Sequence, residues 1–167
     1  MYKKIVLFAL LMIPVTMFAQ EIQKNAHINY QEITSVMPEI AQLQDSLKST
    51  AATLEAELTG MKDEYNTKLT DWLEKQNTLA ESIKLRRQQE LSDYQDRIQN
   101  FQEYAGVMLQ QLQQTLAAPI QEKVMKAIKD VATENHYTYV FDSVSLLFIS
   151  PQAIDATPLV KAKLGLK

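Results

Sequence analysis

The chain has 167 residues, 17 of them basic and 20 acidic, a formal net charge of −3, three glycines and no cysteine. That balance excludes a strongly basic nucleic-acid binder, and without cysteine an oxidising compartment gives the fold no disulfide staples. Three glycines are too few for a loop-rich enzyme built around glycine turns.

The N-terminus has the three-part pattern of a secretory signal peptide. Lys3 and Lys4 precede the apolar run Ile5 to Ile13, and Pro14, Thr16, Ala19 and Gln20 follow. A membrane anchor is the alternative, but the run is short for a bilayer span. Cleavage is expected after Ala19, so residues 1–19 stand apart from the fold. No Cys follows, which argues against a lipoprotein signal. Removing Lys3 and Lys4 leaves 15 basic residues against 20 acidic ones. No later segment is apolar enough for a membrane helix, and no series of alternating ten-residue strands suggests an outer-membrane barrel. The mature protein is therefore expected to be soluble.

Residues 26–30 alternate apolar and polar, the period of a half-buried strand. Gln31 to Met37 fits a short helical turn, and Pro38 suits the first position of a helix. From Glu39 to Ala118 there is no proline. Ile40, Leu43, Leu47, Ala51, Leu54, Leu58, Met61, Tyr65, Leu69 and Trp72 recur at threes and fours and make one helical stripe. Leu91, Tyr94, Ile98, Phe101, Ala105, Met108 and Leu112 make a stricter one, a heptad seam. Between them, Asn77 and Thr78 can turn the chain, and Thr78 with Glu81 has capping-box spacing. The reading is a helical hairpin over 39–118 with its tip near 77–81; one continuous helix is the alternative.

Pro119 is expected to restart the helix. Ile120, Val124, Ala127, Ile128 and Val131 give that segment one apolar face as far as Asn135. The stretch "HYTYVFDSVSLLFIS" then reads as two strands, 137–142 and 146–150, around a tight turn. Last, Thr157 suits an N-cap, Pro158 the first helical position and Gly165 the exit. The first strand sits beside the second only if the hairpin leaves and returns to the same place. Residues 20–38 and 119–167 would then form one small β-containing body. So small a body is under-covered alone, and copies of itself are the simplest cover. Ile28, Tyr139, Phe141, Leu147 and Ile149 are the candidates for that shared core.

This order of elements resembles the Skp/OmpH family of periplasmic chaperones. The likeness covers essentially the whole mature chain and is most specific in "HINYQEITSVMPE", "PIQEKVMKAIKDVATENHYTYVFD" and the terminal "DATPLVKAKLGL". The resemblance implies a mostly helical α+β fold: a coiled-coil tentacle on a β body that trimerises, giving a jellyfish shape. It implies a holdase in the periplasm of a Gram-negative bacterium. Unfolded outer-membrane proteins would be held in a cavity between the tentacles, without ATP, metal or other cofactor. Well-known members are basic, whereas this chain is acidic, so net charge does not draw it to acidic membranes over long range.

Enzyme chemistry is not expected. His27 and His136 are the only histidines and have no Cys or acidic residue at ligand spacing; there is no phosphate loop and no GxSxG. Tyr65, Trp72, Tyr94 and Phe101 lie on the stripes and fit packing within the hairpin better than client contact. Leu73, Tyr104, Val107 and Leu109 lie off them and are the candidates for a client-cavity wall, or for a wider core near the base. Lys84, Arg86 and Arg87 form a basic patch past the tip, either solvated surface or a weak contact for acidic lipid or client segments. Gly60, inside the first arm, is a hinge candidate. A structural or regulatory coiled coil of the cell envelope is the rival function; it explains the arms but not the strand body.

Overall fold

The computed structural model describes residues 23–166. The signal peptide read from residues 1–19 lies outside the described residues. In chain order the elements are β1 (Lys24–Ile28), α1 (Tyr30–Ser35), α2 (Pro38–Lys75), α3 (Glu81–Glu134), β2 (Tyr137–Asp142), a 3-10 turn (Ser143–Ser145), β3 (Ile154–Asp155) and α4 (Thr157–Lys163).

β1 begins and ends two residues earlier than the alternation suggests, because Asn29 caps α1: its side-chain oxygen accepts from the backbone N–H of Glu32 at 2.9 Å. α2 opens on Pro38, carries Glu39 in its first turn and Lys75 in its last, and so complements the helix dipole at both ends. With 38 residues it spans about 57 Å.

The connection at the tip is residues 76–80, and it is not built by a capping box. The Thr78 hydroxyl turns back to donate to the Lys75 carbonyl at 2.8 Å, and Ala80 stands at the N-cap of α3 with no side-chain bond. Glu81 instead pairs with Lys84 at 3.4 Å. Nor does Pro119 restart a helix, since α3 runs unbroken through it for 54 residues. Proline removes one backbone bond there. The spacing of Ile120, Val124, Ala127 and Val131, all buried on one face, holds the segment helical regardless.

The sheet is three-stranded, in order β2-β1-β3, and both pairings are parallel. The hairpin returns the chain so that β2 lies beside β1, with Asn25 level with Tyr139 and His27 level with Phe141. The tight β-hairpin expected at 137–150 does not form. The Asp142 carboxylate accepts from the N–H of Val144 at 3.3 Å and caps the 3-10 turn, which leads the chain off the sheet. Residues 146–150 have no strand partner among the described residues and stay irregular; the third strand is the two-residue β3. Alternating or apolar composition marks a strand only where a neighbour accepts its backbone bonds.

α4 is likewise capped from a different residue than expected. Ala156 is its N-cap, and Asp155 accepts from the N–H of Thr157 at 2.8 Å. Pro158 is therefore the second helical residue. The Thr157 hydroxyl, buried, accepts from the N–H of Asn29 at 2.9 Å and ties α4 to the end of β1. Gly165 does form the exit, with φ of 73°.

One core occupies the body. Ile33, Met37, Val124 and Val160 are its largest fully buried side chains, with Ala26, Ile28, Ala127, Val131 and Ala156 around them. Each full burial of a side chain of this size contributes about 1.5–3 kcal/mol. The arms project from that core.

Candidate functional site

Along the arms every residue of the two stripes except Met108 is at least half-buried, and Leu54, Trp72 and Tyr94 are the most enclosed. Tyr65, Trp72, Tyr94 and Phe101 thus pack within the hairpin. Glu64 faces Tyr94 and Lys68 faces Glu90, which places the symmetry point of the turn at residue 79.

The candidate cavity residues do not share one side. Tyr104 and Val107 are 58% and 53% exposed. Tyr104 lines a lateral groove with Met61, Glu64, Tyr94, Arg97 and Phe101, and its ring is tilted against Phe101 at 6.3 Å between centroids. Gln95, Ile98, Gln99 and Gln102 line another groove with Tyr65. Leu109 lies one heptad beyond Gln102, so it continues that second side, and it is half-buried. Leu73 is 55% exposed near the tip.

The basic patch is largely answered by acids of the same arms. Arg87 lies 3.5 Å from Glu90, Glu90 lies 2.9 Å from Lys68, and Lys84 is held by Glu81. The bond to Lys68 pulls the Glu90 carboxyl below its usual range and raises the Lys68 ammonium. Among the described residues, no carboxylate lies within 4 Å of Arg86. Gly60 lies in unbroken helix, and a side chain built there would meet open space.

On the body, Ile28 is buried inside the chain's own core, whereas Tyr139 and Phe141 are exposed with their rings 5.9 Å apart. Leu147 is fully exposed and Ile149 half-buried. Val144 and Phe148, not singled out from sequence, extend this open apolar surface. From sequence, Val144 falls in the tight turn and Phe148 on one face of a two-sided strand. His27 lies level with Phe141 and Asp155 in the sheet, while His136 precedes β2. Among the described residues, no helix is long and apolar enough to cross a membrane.

A long two-helix arm on a small parallel-sheet body defines a particular architecture among mostly helical α+β chains. Residues 24–164 match the family described as "Outer membrane protein (OmpH-like)", and the chain belongs to that family. The fold is similar to the crystal structure of a candidate outer membrane chaperone (OmpH-like) from Caulobacter crescentus CB15. That likeness has a TM-score of 0.74 at 16% identity over 84% of this chain and 82% of that one. No curated protein matches the sequence.

Proposed function

We propose that the chain is a periplasmic holdase chaperone that works as a homotrimer and shields unfolded outer-membrane proteins between its arms, without ATP. The observation that carries this reading is the unequal cover of the molecule. Its small body is closed inside but leaves Tyr139, Phe141, Val144, Leu147 and Phe148 open, and long arms expose Leu73, Tyr104 and Val107. Family membership and the chaperone-like fold support it.

The physics suits a holdase. An unfolded membrane β-protein exposes apolar side chains and unpaired backbone. Scattered apolar residues on long arms give many weak contacts, and their combined avidity comes from effective concentration rather than from fit. Release then needs only a downstream site that binds more tightly.

The test is dilution of a urea-unfolded outer-membrane β-barrel protein into buffer with the mature chain and no nucleotide. Suppression of light scattering near one trimer per client is expected; unchanged aggregation at tenfold excess sinks the reading. A weak contact of Lys84, Arg86 and Arg87 with acidic lipid belongs to the same reading. It acts only within the Debye length of about 8 Å. Changing all three to Gln is expected to lower flotation with acidic vesicles about twofold at low salt; equal flotation removes the patch.

A further inference from the structure

Tyr94 sits in the heptad seam of α3, yet polar groups surround it. Its hydroxyl donates to the Glu64 carboxylate of α2. The Arg97 guanidinium lies over its ring at 4.9 Å and the Lys68 ammonium at 5.8 Å. Lys68 bridges the arms to Glu90 at 2.9 Å and also approaches Glu64 at 3.9 Å. The bond to Glu64 raises the phenol above its ordinary range, so the hydroxyl keeps its proton as a donor.

The seam around this layer defines its alignment in one direction only. From Leu91 to Leu112 it repeats every seven residues, so sliding α3 by one repeat toward the tip sets apolar against apolar again, whereas the opposite slide brings in Lys84 and Arg87. The polar layer does distinguish the alignments. In one slip Phe101 takes the place of Tyr94, where Glu64 finds no hydroxyl, and Lys68 meets Arg97 instead of Glu90. In the opposite slip Arg87 takes the buried place of Tyr94, and Lys68 meets Ile83. Both alternatives lose the interhelical bonds, and the first sets two cations face to face.

The alignment matters beyond the arms. β1 and β2 are adjacent in the sheet but separated in the chain by the whole hairpin. A slip of one heptad displaces one arm against the other by about 10 Å, roughly three residues of strand. β1 would then no longer meet β2 in the register that puts His27 level with Phe141.

We propose that the layer of Glu64, Lys68, Glu90, Tyr94 and Arg97 selects the register of the hairpin and so delivers β1 to β2 during folding. Polar groups at seam positions set register in coiled coils generally. Here the same device aligns a sheet some distance down the arms.

The chain has no cysteine, so Thr67→Cys and Ser92→Cys, at exposed positions on one level of the hairpin, accept a single pair of spin labels. The mature chain is unfolded in urea and refolded by dilution in this background, alone and with Lys68→Glu, Glu90→Lys, both together, or Tyr94→Phe. Each single reversal is expected to give a second distance population and to slow recovery of the native distance about tenfold. The double reversal restores the native pair but also attracts the new carboxylate at position 68 to Arg97 in the first slipped alignment, so it recovers the native distance only in part, though more than either single reversal. Tyr94→Phe, which removes only the hydroxyl, gives a smaller second population. One native distance and wild-type refolding in all single variants overturns the proposal, even if their urea midpoints fall. Should a reversal leave no folded protein, Tyr94→Phe and Lys68→Gln decide by the same two readings.

Discussion

The body and the arms of this chain are held by different physics. In the body, β1, α1, α3 and α4 converge, and Ile33, Met37, Val124 and Val160 lose nearly all contact with water. In the arms, two helices meet along one seam, and even its best-covered residues, Leu54, Trp72 and Tyr94, keep 6–9% of their surface exposed. Two cylinders cannot enclose the line between them. The arms must therefore draw on helix propensity and on interhelical polar bonds such as Lys68–Glu90, while the body draws on burial. Local stability should differ accordingly, high at the base and low toward the tip.

The sharpest way to separate the two is to attack the open face of the body. Phe141→Asp puts a carboxylate on the surface proposed to be shared between copies. A charge covered there without a partner costs several kcal/mol. Sedimentation should shift from trimer to monomer while the arms stay helical; an unchanged trimer would move the interface elsewhere.

Next in size is a matched pair of truncations. Ile33→Ala, in the closed core, should cost about 2–5 kcal/mol. Leu58→Ala, half-buried in the arm seam, should cost only about 1 kcal/mol. Urea melts of both read the difference directly, and equal losses would show that the arms are covered better than their exposure indicates.

How far the sequence discloses this contrast follows from the range of each interaction. The arms were legible because their signal is local: a stripe of threes and fours needs only neighbours one turn away, and it located Leu54, Trp72 and Tyr94 correctly. The sheet was half legible. Tyr137 to Asp142 reads as a strand, and the return of the hairpin implies that β1 lies beside it. But "LLFI" at 146–149 has strand composition without a partner, and β3 is too short to leave a pattern. Caps failed where a side chain had two choices. Thr157 could have capped its own helix, yet it serves Asn29, and Asp155 takes the cap. Of the candidate site, the exposure of Leu73, Tyr104 and Val107 follows from their place off the stripe. Which side of the arm each occupies required the partner helix. The polar layer could have been found by counting outward from residue 79, which pairs Glu64 with Tyr94 and Lys68 with Glu90.

Gly60 tests whether the low stability of the arms is used. Glycine inside a helix is less favourable than alanine by about 1 kcal/mol, and an added methyl meets nothing within 4 Å. Gly60→Ala should therefore raise arm stability by up to about 1 kcal/mol. If the arm bends there to fit clients of different size, spin labels near Ala80 on the subunits of the proposed trimer should also show a narrower spread, and the largest clients should bind less well. A stabilised arm with unchanged spread and client range would make Gly60 a passive weakness rather than a hinge.

The smallest expected effect is electrostatic, and it should appear in the arms. The folded Glu90 carboxyl titrates below its ordinary value because Lys68 bonds it. Its contribution is complete above the unfolded value of about 4.3 and disappears as pH falls through the lower folded value. Lys68 is raised, so its contribution is complete below the unfolded value of about 10.4 and disappears as pH climbs through the folded one. The pair thus acts across the neutral range. Both side chains are more than a quarter exposed, so solvent screens them and the equilibrium gain is small. Glu90→Gln should lower the urea midpoint slightly at pH 7 and by less at pH 3, because the contribution fades as pH falls toward and through the folded value. A loss of equal size at both pH values would mean that Glu90 acts by packing. Register selection needs no large contribution here, because it depends on the difference between attraction in one alignment and repulsion in the next.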